Sequence, residues 1–309
     1  AFDRWQRRAI VFESDEEGIF GEVSIHDMDH DEPRFEPRRH SIWVDGRARV
    51  MGVPQGVLVF EEGYGERWKL LRDDGVPTVS VPAPRPASVW LVEGDEGLEV
   101  NALASVPSSP VDGLQWLRAG VSTTEITKPV DYSLGPSAAD PPVARMAPSA
   151  LLVGAYVVDL RHEELVLSYH EPDGTRVDAW RLGKATGRIE QLLSMGALGD
   201  DQERLAVLLS DPGRVVVADV VEPSHAAHWA MVRTLFLDGQ VGIHDRFFAR
   251  DMVAQGNANL LVATGTGVVA IEVVDRAQQP ALGVNDAFCG DDLRGPLALV
   301  AHSLGQAPD

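Results

Sequence analysis

The sequence predicts an all-β protein, and three observations carry that prediction. Between Leu151 and Met195 four strand-like runs (LLVGAYVVDL, ELVLSYH, TRVDAWRL and RIEQLL) are punctuated by Glu171-Pro172-Asp173-Gly174 and Gly183-Lys184-Ala185-Thr186-Gly187. Pro presets φ and Gly accepts φ > 0 where a tight reversal needs it, so these runs read as a meander of antiparallel strands. The same unit recurs elsewhere, giving about two dozen short runs at a spacing of roughly 8 to 12 residues. Only Ala197–Asp201 and Arg246–Gln255 pass for helix.

Composition narrows the class. The chain has 309 residues, 44% hydrophobic and 24% charged, enough for one large core or two ordinary ones in a soluble protein. No window approaches about 18 consecutive apolar residues, and no apolar stretch follows the basic residues of the N-terminus. Neither a membrane partner nor a signal peptide is expected. The start at Ala1 rather than Met leaves room for a removed leader, and the expected compartment is the cytoplasm. Forty-seven acidic against 27 basic residues give a net charge of −20, which repels phosphate backbones. The basic clusters Arg4, Arg7, Arg8 and Arg34, Arg38, Arg39 are short and set among acids, so nucleic acid is not an expected partner. The single cysteine, Cys289, rules out an intramolecular disulfide, and Asp291 and Asp292 beside it favour a plain thiol over a nucleophile.

In chain order, Ala9–Phe12 and Ile19–Ile25 read as a hairpin about an acidic turn. Between Glu13 and Glu32 there are nine carboxylates and no Lys or Arg. The segment Asp27-Met28-Asp29-His30-Asp31 suggests a calcium loop by its alternate Asp residues, but lacks the Gly and Glu the motif requires further on. A solvated acidic loop is expected. Short strands follow at Ser41–Val44, Ala48–Met51, Gly56–Phe60 and Arg67–Leu71, with Tyr64 at a hairpin tip. Prolines at 77, 82, 84 and 86 forbid a central strand and point to a connector or an edge. Strands resume at Ser88–Val92 and Leu98–Leu103; Gly113–Ala119 reads as strand or one helical turn, and Ser122–Thr127 as strand.

Residues 133–149 (SLGPSAADPPVARMAPS) offer little to bury and read as a linker or a surface loop. Beyond the opening meander, hairpins are expected about Asp211-Pro212-Gly213, Asp238-Gly239 and Gly265-Thr266-Gly267, with a last strand at Leu297–His302.

A strand count of this size suits a sandwich, a pair of barrels or a propeller. Hairpin-ended segments recur near residues 56–71, 163–193, 203–221, 229–249 and 260–274, close to the period of roughly 40 to 50 residues of four-stranded blades. The phrases VDAWRLGKATGRIEQLL and NLLVATGTGVVAIEVVD resemble blades of β-propeller repeat proteins, over about Leu151 to Val274. No Gly-His to Trp-Asp pairing of the WD repeat, no kelch double glycine and no quinone-cofactor signature occurs, so the resemblance is generic. It implies one β-propeller-like domain over 1–309 of six or seven four-stranded antiparallel blades, with Ala9–Phe12 pairing with the C-terminal strand to close the ring. The alternative is two β-rich domains, each a sandwich or half-propeller, at 1–132 and 150–309, joined by a linker at 133–149.

Catalytic motifs are sparse. Gly265-Thr266-Gly267-Val268 lacks the helix and third glycine of a dinucleotide loop, and no Gly-x-Ser-x-Gly elbow is present. His225 and His228 share a metal only if helical, with His244 a third ligand; the plainer reading is loop histidines. The expected function is therefore a non-catalytic binding protein, without cofactor, that holds a basic or neutral peptide or protein segment. Aromatics supply most hot-spot energy, so the binding residues are sought among Trp180, Trp229, Tyr64 and Trp68, with Trp43 and Trp90 behind them. The competing expectation for these strand tryptophans is core anchoring. The alternative function is a metal-dependent hydrolase or lyase with a site in the central channel drawn from His26, Asp29, His30, His225, His228 and His244.

Overall fold

Runs of β-branched and apolar residues broken by Gly, Pro and Asp give strands and little else. The computed structural model describes residues 2–3, 8–14, 20–27, 38–43, 48–61, 66–72, 77–94, 97–106, 113–122, 125–136, 144–210, 213–221, 230–236, 251–263, 267–275 and 297–306. Among these described residues there is no helix, and the strands form four-stranded antiparallel sheets, six in number, each a meander of four strands consecutive in sequence. These are β-propeller-type blades, and the fold is all-β.

The chain divides into two compact units, Ala1–Val106 with Gln115–Tyr132, and Pro107–Leu114 with Ser133–Asp309. The first unit is built on three sheets. These are β1 (Phe2–Asp3), β2 (Arg8–Ser14), β3 (Phe20–Asp27) and β4 (Arg38–Trp43); β5 (Ala48–Val53), β6 (Gly56–Glu61), β7 (Arg67–Arg72) and β8 (Pro77–Pro82); and β9 (Pro86–Gly94), β10 (Gly97–Val106), β11 (Gly113–Val121) and β12 (Val130–Pro136). The middle sheet of the three is buried on both faces. Val57 and Val59 of β6 pack with Ile10, Val23 and Ile25 of the first sheet. Leu58 and Phe60, pointing the other way, pack with Val100, Ala102 and Leu117 of the third. That is why GVLVFE is continuously apolar up to Glu61 rather than alternating.

The second unit repeats the plan with β13 (Arg145–Pro148), β14 (Ala155–Arg161), β15 (Glu164–His170) and β16 (Arg176–Lys184); β17 (Arg188–Ala197), β18 (Gln202–Ser210), β19 (Arg214–Val221) and β20 (Ala230–Phe236); and β21 (Asp251–Gln255), β22 (Asn259–Ala263), β23 (Gly267–Asp275) and β24 (Leu297–Gln306). Again the middle sheet is enclosed: Leu205, Val207 and Leu209 of β18 face β14 and β15, while Ala206 and Leu208 face β22 and β23. The first strands lie side by side, β13 next to β17 and β17 next to β21. Side chains satisfy backbone groups there: the Arg145 guanidinium donates to the Glu190 carbonyl (2.7 Å), and the Gln191 amide oxygen accepts from the Met252 N–H (2.6 Å).

Several expectations are corrected. RIEQLL is not the fourth strand of the Leu151–Leu182 meander but lies in β17, which pairs with β18 in the next sheet. The missing strand of that meander is β13, inside the segment read as a linker, where β12 also ends at Pro136. Leu151–Gly154, read as strand, is a loop. Asp251–Gln255, read as helix, is strand β21. Ser122–Thr127, read as strand, contributes among its described residues a single isolated bridge between Val121 and Ile126, with Ser122 N–H donating to the Glu125 carbonyl (2.9 Å). Ala9 pairs with Phe2 and His26, not with the C-terminal strand, which pairs with β23. The Asp238-Gly239 hairpin lies outside the described residues.

Candidate interaction face

Two of the four tryptophan and tyrosine residues expected to bind a partner lie within the described residues, and both are core. Trp68 is fully enclosed on β7, edge-on to Phe60 at 5.3 Å, with its indole N–H donating to the Pro84 carbonyl (3.0 Å). Trp180, 5% exposed, packs against Tyr156 at 6.1 Å between β16 and β14. Period-two alternation turns both rings inward, so neither offers a face to a partner. Tyr64 and Trp229 lie outside the described residues, as do Asp29, His30, His225, His228 and His244. His26 is half-buried on β3. Among the described residues no three His, Cys, Asp or Glu side chains converge to hold a metal ion. Trp90 is half-buried at 6.0 Å from Trp116, whose N–H donates to Asn101 Oδ1 (2.8 Å). Beside it, Arg118 grips Glu99 through two bonds of 3.0 Å.

One pairing looks catalytic and is not. Ser168 Oγ lies 3.0 Å from His170 Nε2, and His170 Nδ1 lies 3.1 Å from the Gly174 carbonyl. The carbonyl can only accept, so Nδ1 carries the proton and Nε2 accepts from the serine. Both side chains are buried, and the ring is held by the β15–β16 turn rather than by an acid. Burial pushes the His170 pKa below its ordinary value of 6.5, with Arg176 and Arg161 adding to the shift and the Gly174 bond opposing it. The pair is a turn fastener.

At one end of the sheets of the second unit, several described loops and turns emerge side by side. Ala155 pairs with His170, so loop 149–154 and turn 171–175 emerge together. Ala197 pairs with Glu203, placing loop 198–201 at that end, and Asn257 Nδ2 donates to the Ala197 carbonyl (3.3 Å), bringing turn 256–258 beside it.

Loop 149–154 (SALLVG) is built around a buried carboxylate. Glu203, 1% exposed at the start of β18, accepts from Ser149 Oγ (2.6 Å), the Ala150 N–H (2.7 Å) and Ser194 Oγ (2.6 Å). Ser149 Oγ in turn accepts from the N–H groups of Leu151 (3.2 Å) and Leu152 (3.1 Å), and the Ser149 N–H donates to the Gly154 carbonyl (3.1 Å). Burial above all, and the Glu203 charge next, push the neighbouring Tyr156 phenol well above its ordinary pKa, so it stays neutral. Gly154 closes the loop where only hydrogen fits: a Cβ there would lie 2.2 Å from Tyr169 Oη and 2.5 Å from the His170 carbonyl oxygen. The product is an ordered loop whose tip, Val153, is 86% exposed, with Leu151 and Leu152 half-buried beneath it.

Charge flanks the tip. Glu171, Asp173 and Asp200 are exposed and Asp201 half-buried, against one exposed cation, Arg176. The Thr175 N–H donates to Asp173 Oδ1 (2.8 Å), and bonding from Thr175 holds that carboxylate below its ordinary pKa. On the opposite face of β18, Arg204 and Asp219 form a buried pair with bonds of 2.6 and 2.8 Å, and Arg204 also donates to the Asn257 carbonyl (2.8 Å). These buried charges fasten the third sheet of the unit to its middle one.

Sheets, turns and face together define a β-propeller-type repeat protein. Among solved structures the chain is similar to the WD40 domain of SCAP from fission yeast (11% identity over 86% of this chain and 55% of that one, TM-score 0.38). It is also similar to Kluyveromyces lactis Hsv2 with complete loop 6CD (9% identity over 96% of this chain and 98% of that one, TM-score 0.42). A third similar structure is oligopeptidase B from Leishmania major (12% identity over 90% of this chain and 39% of that one, TM-score 0.43). The chain thus spans about half the length of the first of these. No family model matches the chain, and no curated protein matches it in sequence.

Proposed function

We propose that the chain is a non-catalytic binding protein that holds a peptide or protein segment on the loop face of its second unit. The observation that carries this reading is the Val153 tip on its Glu203 anchor. An apolar side chain held in one place before a partner arrives spares the ordering cost that weakens binding by flexible loops. The buried ionisable groups near it support the same reading, because each is engaged in holding structure. Glu203 is taken by two serines and a backbone amide, Asp219 by Arg204, and His170 by Gly174 and Ser168.

The test is a photo-crosslinking residue placed at 153 and, as a control, at 177, an exposed position on the edge strand β16. Adducts with a polypeptide at 153 only, followed by titration of that purified polypeptide against the chain and its Val153→Asp variant, are the expected outcome. Equal adducts at both positions would overturn the placement of binding on this face, and a stoichiometric metal with turnover of a small molecule would overturn the reading in favour of the hydrolase or lyase.

A further inference from the structure

The tip does not stand alone on its face. Gly154, at one end of loop 149–154, lies against Tyr169 and the His170 carbonyl, directly before the turn that carries Glu171 and Asp173. Ser149 and Ala150, at the other end, are tied to Glu203, which follows Asp200 and Asp201 in the chain. Val153 is therefore set between two acidic turns, one from its own sheet and one from the next. The described residues of the two turns and the loop contain no lysine or arginine, Arg176 at the start of β16 being the nearest in sequence.

Resting on the proposed binding role of this face, we infer that its occupant is a polypeptide segment with an apolar side chain flanked on both sides by lysine or arginine. An apolar side chain seated on Val153 removes both from water. A segment running from one acidic turn to the other places its flanking residues against Glu171 and Asp173 at one end and Asp200 and Asp201 at the other. Lysine or arginine there is attracted, and aspartate or glutamate meets like charge, which rejects wrong partners more sharply than it strengthens right ones. A polyanion and an anionic lipid surface are disfavoured by the same carboxylates. The overall charge of −20 steers cationic segments toward the molecule, and the two turns set where on such a segment the cations lie.

The experiment probes the full chain with three sets of synthetic peptides. Each peptide has a central leucine, flanked on both sides by lysine, by glutamine or by glutamate. Binding is measured by fluorescence anisotropy at about 0.1 M and about 1 M sodium chloride, across which the Debye length falls from about 10 Å to about 3 Å. Two variants are tested beside the parent: Val153→Ser, and the triple exchange Glu171→Gln, Asp173→Asn, Asp200→Asn, which keeps side-chain size. The lysine set is expected to bind about tenfold or more tighter than the glutamine set at low salt. The glutamate set should not bind, and the triple variant should lose the preference. Equal binding of the lysine and glutamine sets, lost in Val153→Ser, would overturn the charge pattern and leave the binding face standing. Binding by none of the sets, or binding unaffected by Val153→Ser, would overturn both. Unchanged melting temperatures confirm that the exposed substitutions leave the fold intact.

Discussion

At the scale of the residue, the positions that matter most are small or buried. Gly174 ends the β15–β16 turn with φ of +85°, and its carbonyl oxygen accepts from His170. Gly174→Val puts a β-branched side chain where L-residues are strained, and is expected to cost roughly 1 to 3 kcal/mol, read as a lower melting temperature. An unchanged melting temperature would show that the turn adapts. This glycine was legible in the sequence because Pro-Asp-Gly between two alternating runs has one economical geometry. Glu203 was not. A carboxylate at the head of a strand looks the same in sequence whether it is solvated or accepts two hydrogen bonds from a loop about fifty residues earlier and a third from Ser194 on the neighbouring strand. Trp68 and Trp180 were legible as strand residues, and the alternation that turns both rings inward is present in RWKL and VDAWRL, but an aromatic in such a run reads alike as a core anchor or a binding anchor until the sheet packed against it is known.

At the scale of the element, turns written with Gly and Pro were readable, and turns written otherwise were not. The hairpin joining β14 to β15 turns on His162 and Glu163, with φ of +51° and +64°, a two-residue reversal lacking the Asn or Gly that usually signals it. Arg145–Pro148 was hidden in a proline-rich stretch because a four-residue strand takes its stability from its neighbours, β14 and β17. Prolines 77 and 82 were read correctly as edge markers, since β8 closes its sheet. The β16 edge is guarded differently: its register against β15 slips at two places, which spoils it as a template for another strand. The β15–β16 turn carries a pH prediction. His170 has a folded pKa below its ordinary 6.5, so the unfolded chain takes up a proton that the folded chain resists. The His170 contribution is intact above about pH 6.5 and is lost as the pH falls through the depressed folded value. Urea midpoints at about pH 7.5 and about pH 5 should show a smaller acid loss in His170→Gln than in the parent. An equal loss in both would move the acid sensitivity to other groups.

At the scale of the whole molecule, the sequence conveyed the class through its count of short strands, and the described residues bear that out without a helix. Far-ultraviolet circular dichroism is expected to be strand-dominated, with helix below about 15% against a globular average near one third. A helix fraction near that average would contradict the repeat architecture.

The enclosed middle sheet of the second unit has a consequence for the nascent chain. Leu205–Leu209 and Val215–Val217 are short uncharged stretches of high β-propensity, fully hidden only once sheets on both sides have formed, and until then they are templates for self-association. Glu203 and Arg204 stand directly before the first, and Arg214 and Asp219 bracket the second. The buried ion pair is therefore expected to double as a gatekeeper during synthesis. Replacing Arg204 and Asp219 together by methionine and leucine is expected to cost the folded protein only about 1 kcal/mol, the lost bond to the Asn257 carbonyl, since well-packed apolar pairs often match buried ion pairs. Recovery of soluble protein after dilution from denaturant should nevertheless fall, and an undiminished yield would show that the two charges serve the native state alone.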